Sequence, residues 1–91
     1  MAKEAVPDNP FMSDTLGWVY YRKNIYSRAI VYLKEAADKL PNQPVVHYHL
    51  GMAYYKNGQI DLAKKELNRA LQIDPNFAGA AEAKDVLQKA K

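Results

Sequence analysis

The stretch PVVHYHLGMAYYKNGQIDLAKKELNRALQIDPNF (residues 44–77) repeats the pattern of PFMSDTLGWVYYRKNIYSRAIVYLKEAADKLPNQ (residues 10–43) without a gap. At a shift of 34 residues the identical pairs are Pro10/Pro44, Leu16/Leu50, Gly17/Gly51, Tyr20/Tyr54, Tyr21/Tyr55, Ala29/Ala63, Leu33/Leu67, Ala36/Ala70, Pro41/Pro75 and Asn42/Asn76. Ten matches stand where ordinary composition gives roughly two. A fixed period of this length is the mark of a repeat array, in which each unit buries its apolar face against its neighbours. The flanks keep the register. Residues 1–9 read as the tail of an earlier repeat, and residues 78–91 occupy the place of the next repeat's first helix.

Inside each repeat the apolar spacing is helical. Leu16, Gly17 and Tyr20 share one stripe, as do Leu50, Gly51 and Tyr54; a second helix carries Ala29, Leu33, Ala36 and Leu40, or Ala63, Leu67, Ala70 and Ile73. Gly58 suits a left-handed helix terminator and Asn24 is the next best residue for it. Pro41 and Pro75 stop the second helices, because proline lacks an amide proton and clashes with the preceding turn. Ser27 and Asp61 are placed to cap those helices, Asn42 and Asn76 to cap the helices that follow, and Pro44 suits a first turn. The expected helices are 10–23, 26–40, 44–57, 60–73 and 77–90. A glycine inside a helix costs about 1 kcal/mol against alanine, so Gly17 and Gly51 imply a close approach, expected at Ala29 and Ala63.

Leu50-Gly51-x-x-Tyr54, then Gly58, Ala63, Leu67, Ala70 and Pro75, with the same run at Leu16-Gly17-x-x-Tyr20, Ala29, Leu33, Ala36 and Pro41, resembles the tetratricopeptide repeat (TPR). The resemblance implies an all-α solenoid: a remnant at 1–9, TPR hairpins at 10–43 and 44–77, and a capping helix at 78–91 with Ala80, Ala83, Leu87 and Ala90 inward. Ser13 and His47 stand where the family often has tryptophan or another large residue, and Asn24 replaces a glycine; weaker local packing is expected there. A preceding hairpin would partly cover Met12, Tyr20, Tyr26 and Ile30, so their exposure is expected to favour homo-oligomers.

The 91 residues include 48% hydrophobic and 25% charged side chains and no cysteine, which suits one small globular unit and excludes thiolate metal sites and disulfides. The net charge of +3 is spread with interspersed signs, so no nucleic-acid partner is expected. No apolar run is long enough for membrane insertion. The opening residues show no basic-then-apolar leader, so either the protein is cytoplasmic, as expected if this is the whole chain, or its targeting segment lies outside this stretch. His47 and His49 lie two apart on a helix and point away from each other, Ser13 and Ser27 lie outside any nucleophile elbow, and the glycines are isolated. No enzyme, metal or cofactor is expected.

What remains is a surface. The TPR resemblance implies that the first helix of each hairpin lines a concave side that holds partner peptides. Helical spacing separates a second stripe from the core stripe: Asp14, Trp18, Tyr21 and Arg22, then Val45, Tyr48, His49, Met52, Tyr55 and Lys56, continued by Glu82, Val86 and Lys89. With Leu16, Tyr20, Leu50 and Tyr54 filling the core side, these aromatics are expected to lack intramolecular partners and to anchor a protein or peptide ligand or, as the alternative, to join copies of the chain or neighbouring repeats of a longer array. The convex side is expected to carry Tyr32 and Leu62. A TPR subclass grips acidic chaperone tails with lysines and asparagines, but Asp14, Trp18, His49 and Met52 stand at those places here, so that ligand is not expected.

Overall fold

A computed structural model describes residues 8–90, and the expected remnant at 1–9 lies almost wholly outside them. Five helices follow one another: α1 (Pro10–Arg22), α2 (Tyr26–Lys39), α3 (Pro44–Lys56), α4 (Ile60–Ile73) and α5 (Ala80–Lys89). Among the described residues there is no strand. Each helix packs on the next, and α1 also touches α3. The stack is elongated, 42 × 25 × 18 Å, an all-α helical repeat solenoid.

Prolines place the starts of α1 and α3, where a missing amide proton costs nothing. Asn9 caps α1 by accepting from the Phe11 amide at 2.9 Å. The prolines at 41 and 75 act one residue upstream, forcing Leu40 and Asp74 out of helical geometry. The expected caps at Ser27, Asp61, Asn42 and Asn76 do not form. α2 and α4 start directly after Ile25 and Gln59, with no side-chain cap. The cause lies in the turn: Asn24 (φ 65°) and Gly58 (φ 83°) are left-handed. The next amides, of Ile25 and Gln59, donate back to the carbonyls of Tyr20 and Tyr54 at 2.9 Å. This 6→1 closure brings the chain straight into the next helix, leaving Ser27 and Asp61 already inside its first turn. Gln43 takes the position before α3, and the Asn76 amide donates to Asp74 Oδ1 at 2.9 Å instead of leading into α5.

The glycine contact is as close as expected, and at Gly17 it includes the Ala29 carbonyl oxygen, 3.1 Å from where a Cβ would sit, but leucines supply the nearest atoms. A Cβ at Gly51 would sit 2.7 Å from Leu67 Cδ2, and one at Gly17 would sit 2.6 Å from Leu33 Cγ. Ala29 and Ala63 are fully buried beside this contact, yet the leucine one turn further along covers the glycine. The site opposite the missing large residue is not loosely packed either. Ser13 is fully buried. His47 bridges Glu66 Oε1 at 2.7 Å and the Pro41 carbonyl at 2.8 Å, tying α3 to α4 and to the loop before it.

The core has two parts. Ala29, Leu33 and Ala36 of α2 meet Val46, Leu50 and Tyr54 of α3 in the first. In the second, Tyr48, Met52, Leu67 and Ala70 meet Phe77, Ala80, Ala83 and Val86. α5 starts three residues later than expected, because Phe77 turns inward instead of opening the helix. It also packs with a rotated face: Val86, not Leu87 or Ala90, completes its buried stripe. Tyr32, expected on the convex surface, is 2% exposed and stacks on Tyr20 at 5.5 Å.

Candidate functional site

Three helices share one side of the molecule. Trp18 on α1 stacks on His49 of α3 with ring centres 4.0 Å apart, and the Tyr48 hydroxyl of α3 donates to Glu82 Oε1 of α5. α1, α3 and α5 therefore lie side by side, and their last turns carry Arg22, Lys56 and Lys89, one cation per unit.

At the centre, Trp18 lies parallel to Tyr21 at 4.3 Å and 5°, with Tyr48 tilted against it at 5.9 Å. Tyr21 in turn meets Tyr26 edge-on at 5.7 Å. The expectation that these aromatics lack intramolecular partners is overturned. They form a ladder in which each ring fixes the next, and such pairs contribute about 0.5–1.5 kcal/mol each beyond area burial. Trp18, Tyr21, His49 and Tyr55 keep part of their surface open to solvent, whereas Tyr48 and Met52 are 8% and 3% exposed. The reason is α5, whose Ala80, Ala83 and Val86 close over that end of α3 while Phe77 meets Tyr48 edge-on at 5.6 Å. Tyr48, Met52 and Val86 thus belong to the core.

Electrostatics orders the rest. The Nδ1–H of His49 donates to Asp14 Oδ1 at 2.8 Å, both side chains being largely buried, so the carboxylate sets the ring orientation. Burial raises the Tyr48 phenol well above the ordinary tyrosine value, helped by donation to Glu82 and by the Glu82 charge. Tyr21 is raised by burial first and then by the charge on Glu82. Both phenols are therefore neutral throughout the physiological range. Lys89 pairs with Asp85 at 3.1 Å. Arg22 and Lys56 are exposed and have no ion pair among the described residues.

Of the expected site residues, the structure brings Asp14, Trp18, Tyr21 and His49 into one connected group. Tyr55 packs beside it, and Arg22 and Lys56 lie at its end. The Asp14–His49 and Tyr48–Glu82 bonds link residues 35 and 34 apart and carried no local signal in the sequence. Ser13 is fully buried, and the Thr15 hydroxyl donates to the Phe11 carbonyl at 3.0 Å. Among the described residues no group of three or more His, Asp or Glu side chains could hold a metal ion, and no helix is long and apolar enough to cross a membrane.

Known proteins agree with this architecture. The solution structure of a tetratricopeptide repeat domain protein from Salinibacter ruber superposes with a TM-score of 0.75 at 22% identity, covering 96% of this chain and 91% of that one. A protein CTR9 homolog from Arabidopsis thaliana is 28% identical over 85 residues; the match takes in 92% of this chain but spans only 8% of that relative's length. A tetratricopeptide repeat family model matches residues 24–90. With its 34-residue register and helical hairpins, the chain belongs to the tetratricopeptide repeat family.

Proposed function

We propose that the α1–α3–α5 side binds a segment of a partner protein. An apolar or aromatic side chain would rest on Trp18, Tyr21 and Tyr55, and a carboxylate or backbone carbonyl would meet Arg22 and Lys56. TPR chains are interaction scaffolds, and membership of that family supports a partner-binding role for this chain. The observation that supports the reading is the partly open Trp18 ring held between Tyr21 and His49. A ring already fixed in place gives up little conformational entropy when a ligand covers it, which is how aromatic anchors dominate interfaces.

The test is a displayed peptide library selected on the whole chain, with the selected peptides titrated by calorimetry. Tyr55→Ala and the pair Arg22→Glu, Lys56→Glu alter the open surface and leave the Trp18 stack in place. Each is expected to weaken binding by about 1–2 kcal/mol or more. An acidic chaperone-type tail, facing Asp14 and no lysine–asparagine clamp, should bind weakly and lose affinity steeply with salt. Peptides that keep full affinity for these variants but lose it with Leu62→Glu on α4 would move the binding side to the opposite face.

A further inference from the structure

His47 turns both ring nitrogens towards acceptors. Nδ1 lies 2.7 Å from Glu66 Oε1, and Nε2 lies 2.8 Å from the Pro41 carbonyl oxygen. Both side chains of the His47–Glu66 pair are largely buried. A neutral imidazole has one N–H and one lone pair, and neither a carboxylate nor a carbonyl can donate to that lone pair. Only the imidazolium, with two N–H groups, bonds both partners at once. Imidazole is a stronger base than a carboxylate, so that extra proton rests on the ring. When it leaves to water, one of the two bonds has to go. The carboxylate is the stronger acceptor, so the remaining proton stays on Nδ1. The Nε2 lone pair then faces the Pro41 carbonyl, and that contact turns repulsive.

The bond that is lost spans a joint. Pro41 lies in the segment at 40–43, between the α1–α2 hairpin and the α3–α4 hairpin, whereas His47 and Glu66 both belong to the second hairpin. The repeat register confines the arrangement to this place. At a shift of 34 residues Ala81 stands where His47 does, and a methyl group cannot bond the Pro75 carbonyl. In the other direction Ser13 takes the place of His47, and Tyr32 that of Glu66.

The other charges around the ring stand at the solvent edge. Lys65 and Arg69 of α4 share one cleft with His47 and Glu66, and Lys34 and Asp38 of α2 share a second with His47 and Tyr54. All four are exposed, where salt screens them. The segment at 40–43 carries no charge, and Asp14 of α1 is taken by His49. Burial, helped by Glu66 and Asp38, holds the Tyr54 phenol above the ordinary tyrosine value, so it stays neutral. Among the described residues Glu66 is therefore the charge in bonding contact with the ring. We propose that His47 is a proton-operated latch on the joint between the two hairpins: doubly protonated, it ties Glu66 to the Pro41 carbonyl, and neutral, it keeps Glu66 and releases Pro41. Histidine is the side chain that changes charge between about pH 5 and 8, so mild acid fastens the joint and mild alkali frees it. The latch does not depend on the ladder binding a peptide.

Nitrogen-15 spectra of the histidine rings, recorded on the whole chain from about pH 5 to about pH 8, test the proposal. His47 should carry both ring protons at the acid end and a single proton on Nδ1 at the alkaline end. Over the same range the Gln43 and His47 amides, which donate to the Leu40 and Gln43 carbonyls, should lose hydrogen-exchange protection about fivefold or more, after correction for intrinsic rates. Amides inside α4 should keep theirs. Glu66→Gln supplies an amide that can donate to Nδ1, so a neutral ring can then donate Nε2–H to Pro41. In that variant the alkaline ring should carry its proton on Nε2, and protection at the joint should stay constant. The chain has one other histidine, His49, and His49→Gln should leave the response of His47 in place. The parent's ring protons and joint protection decide the matter even if Glu66→Gln fails to fold. A ring with one proton at the acid end, an alkaline parent ring protonated on Nε2, joint protection that ignores pH, or a folded Glu66→Gln chain that responds like the parent would each overturn the latch.

Discussion

Gly51→Ala tests the hairpin packing by its sign. On an open helix the change stabilises by about 1 kcal/mol, because alanine loses less chain entropy than glycine. Here the added Cβ would lie 2.7 and 2.8 Å from Leu67 Cδ2 and Cγ, and 3.2 Å from the Leu67 backbone nitrogen. Leu67 has no exposed surface, so its side chain has nowhere to retreat, and the backbone contact resists any shift of α4 towards α3. Overpacking of this kind costs about 1–3 kcal/mol. The net expectation is a loss of about 1 kcal/mol, which lowers Tm by roughly 4–8 °C in a domain of this size. Urea unfolding of the parent, Gly51→Ala, Leu67→Ala and the double variant forms a cycle. Leu67→Ala alone should cost about 2–5 kcal/mol and should cost less beside Ala at 51, where removing the leucine also removes the clash. A Gly51→Ala chain more stable than the parent, or a cycle without coupling, would refute the contact as described.

Three further outcomes follow from geometry and titration. Gly58→Ala places a Cβ at φ 83° with open space around it, so the loss should be about 1–2 kcal/mol from backbone strain alone; Asn24→Gly, at φ 65°, should be neutral or slightly stabilising by chemical denaturation. Burial holds Tyr21, Tyr48 and Tyr54 above the ordinary tyrosine value of 10.0. Stability should thus be independent of these groups below pH 10 and fall as pH rises beyond it, because the unfolded chain ionises first. Tyrosinate absorbance read alongside urea midpoints checks this, and a midpoint that rises above pH 10 would contradict it.

The five helices were legible because prolines, Gly58 and the apolar stripes recur in register, and recurrence cancels the ambiguity of any one signal. The caps were not. Serine and aspartate are common caps, but here the left-handed turn settles where α2 and α4 begin, and that closure is a backbone event. Within the candidate site, the stripe of Asp14, Trp18, Tyr21 and His49 was legible as a helix face. Its internal bonding was not, because His49 meets Asp14 across 35 residues. Spacing on α3 likewise gave no sign that α5 would lie over Tyr48 and Met52. The register of α5 depends on Phe77 turning inward, and a lone aromatic after a proline has no period to read.

The turns at 23–25 and 57–59 have a mechanical consequence. Ile25 and Gln59 each end one helix and begin the next, so the two arms of a hairpin share their joint and have no slack between them. An extra residue there has to be absorbed by unwinding a helix end. The segments at 40–43 and 74–79, by contrast, belong to no helix, so an extra residue away from the Pro41 carbonyl and Phe77 need not unwind a helix end. Any bending of the stack is therefore channelled to the junctions between hairpins. Each hairpin moves as one rigid lever, and a ligand lying across α1, α3 and α5 would sense the angle between levers rather than the shape of any one of them.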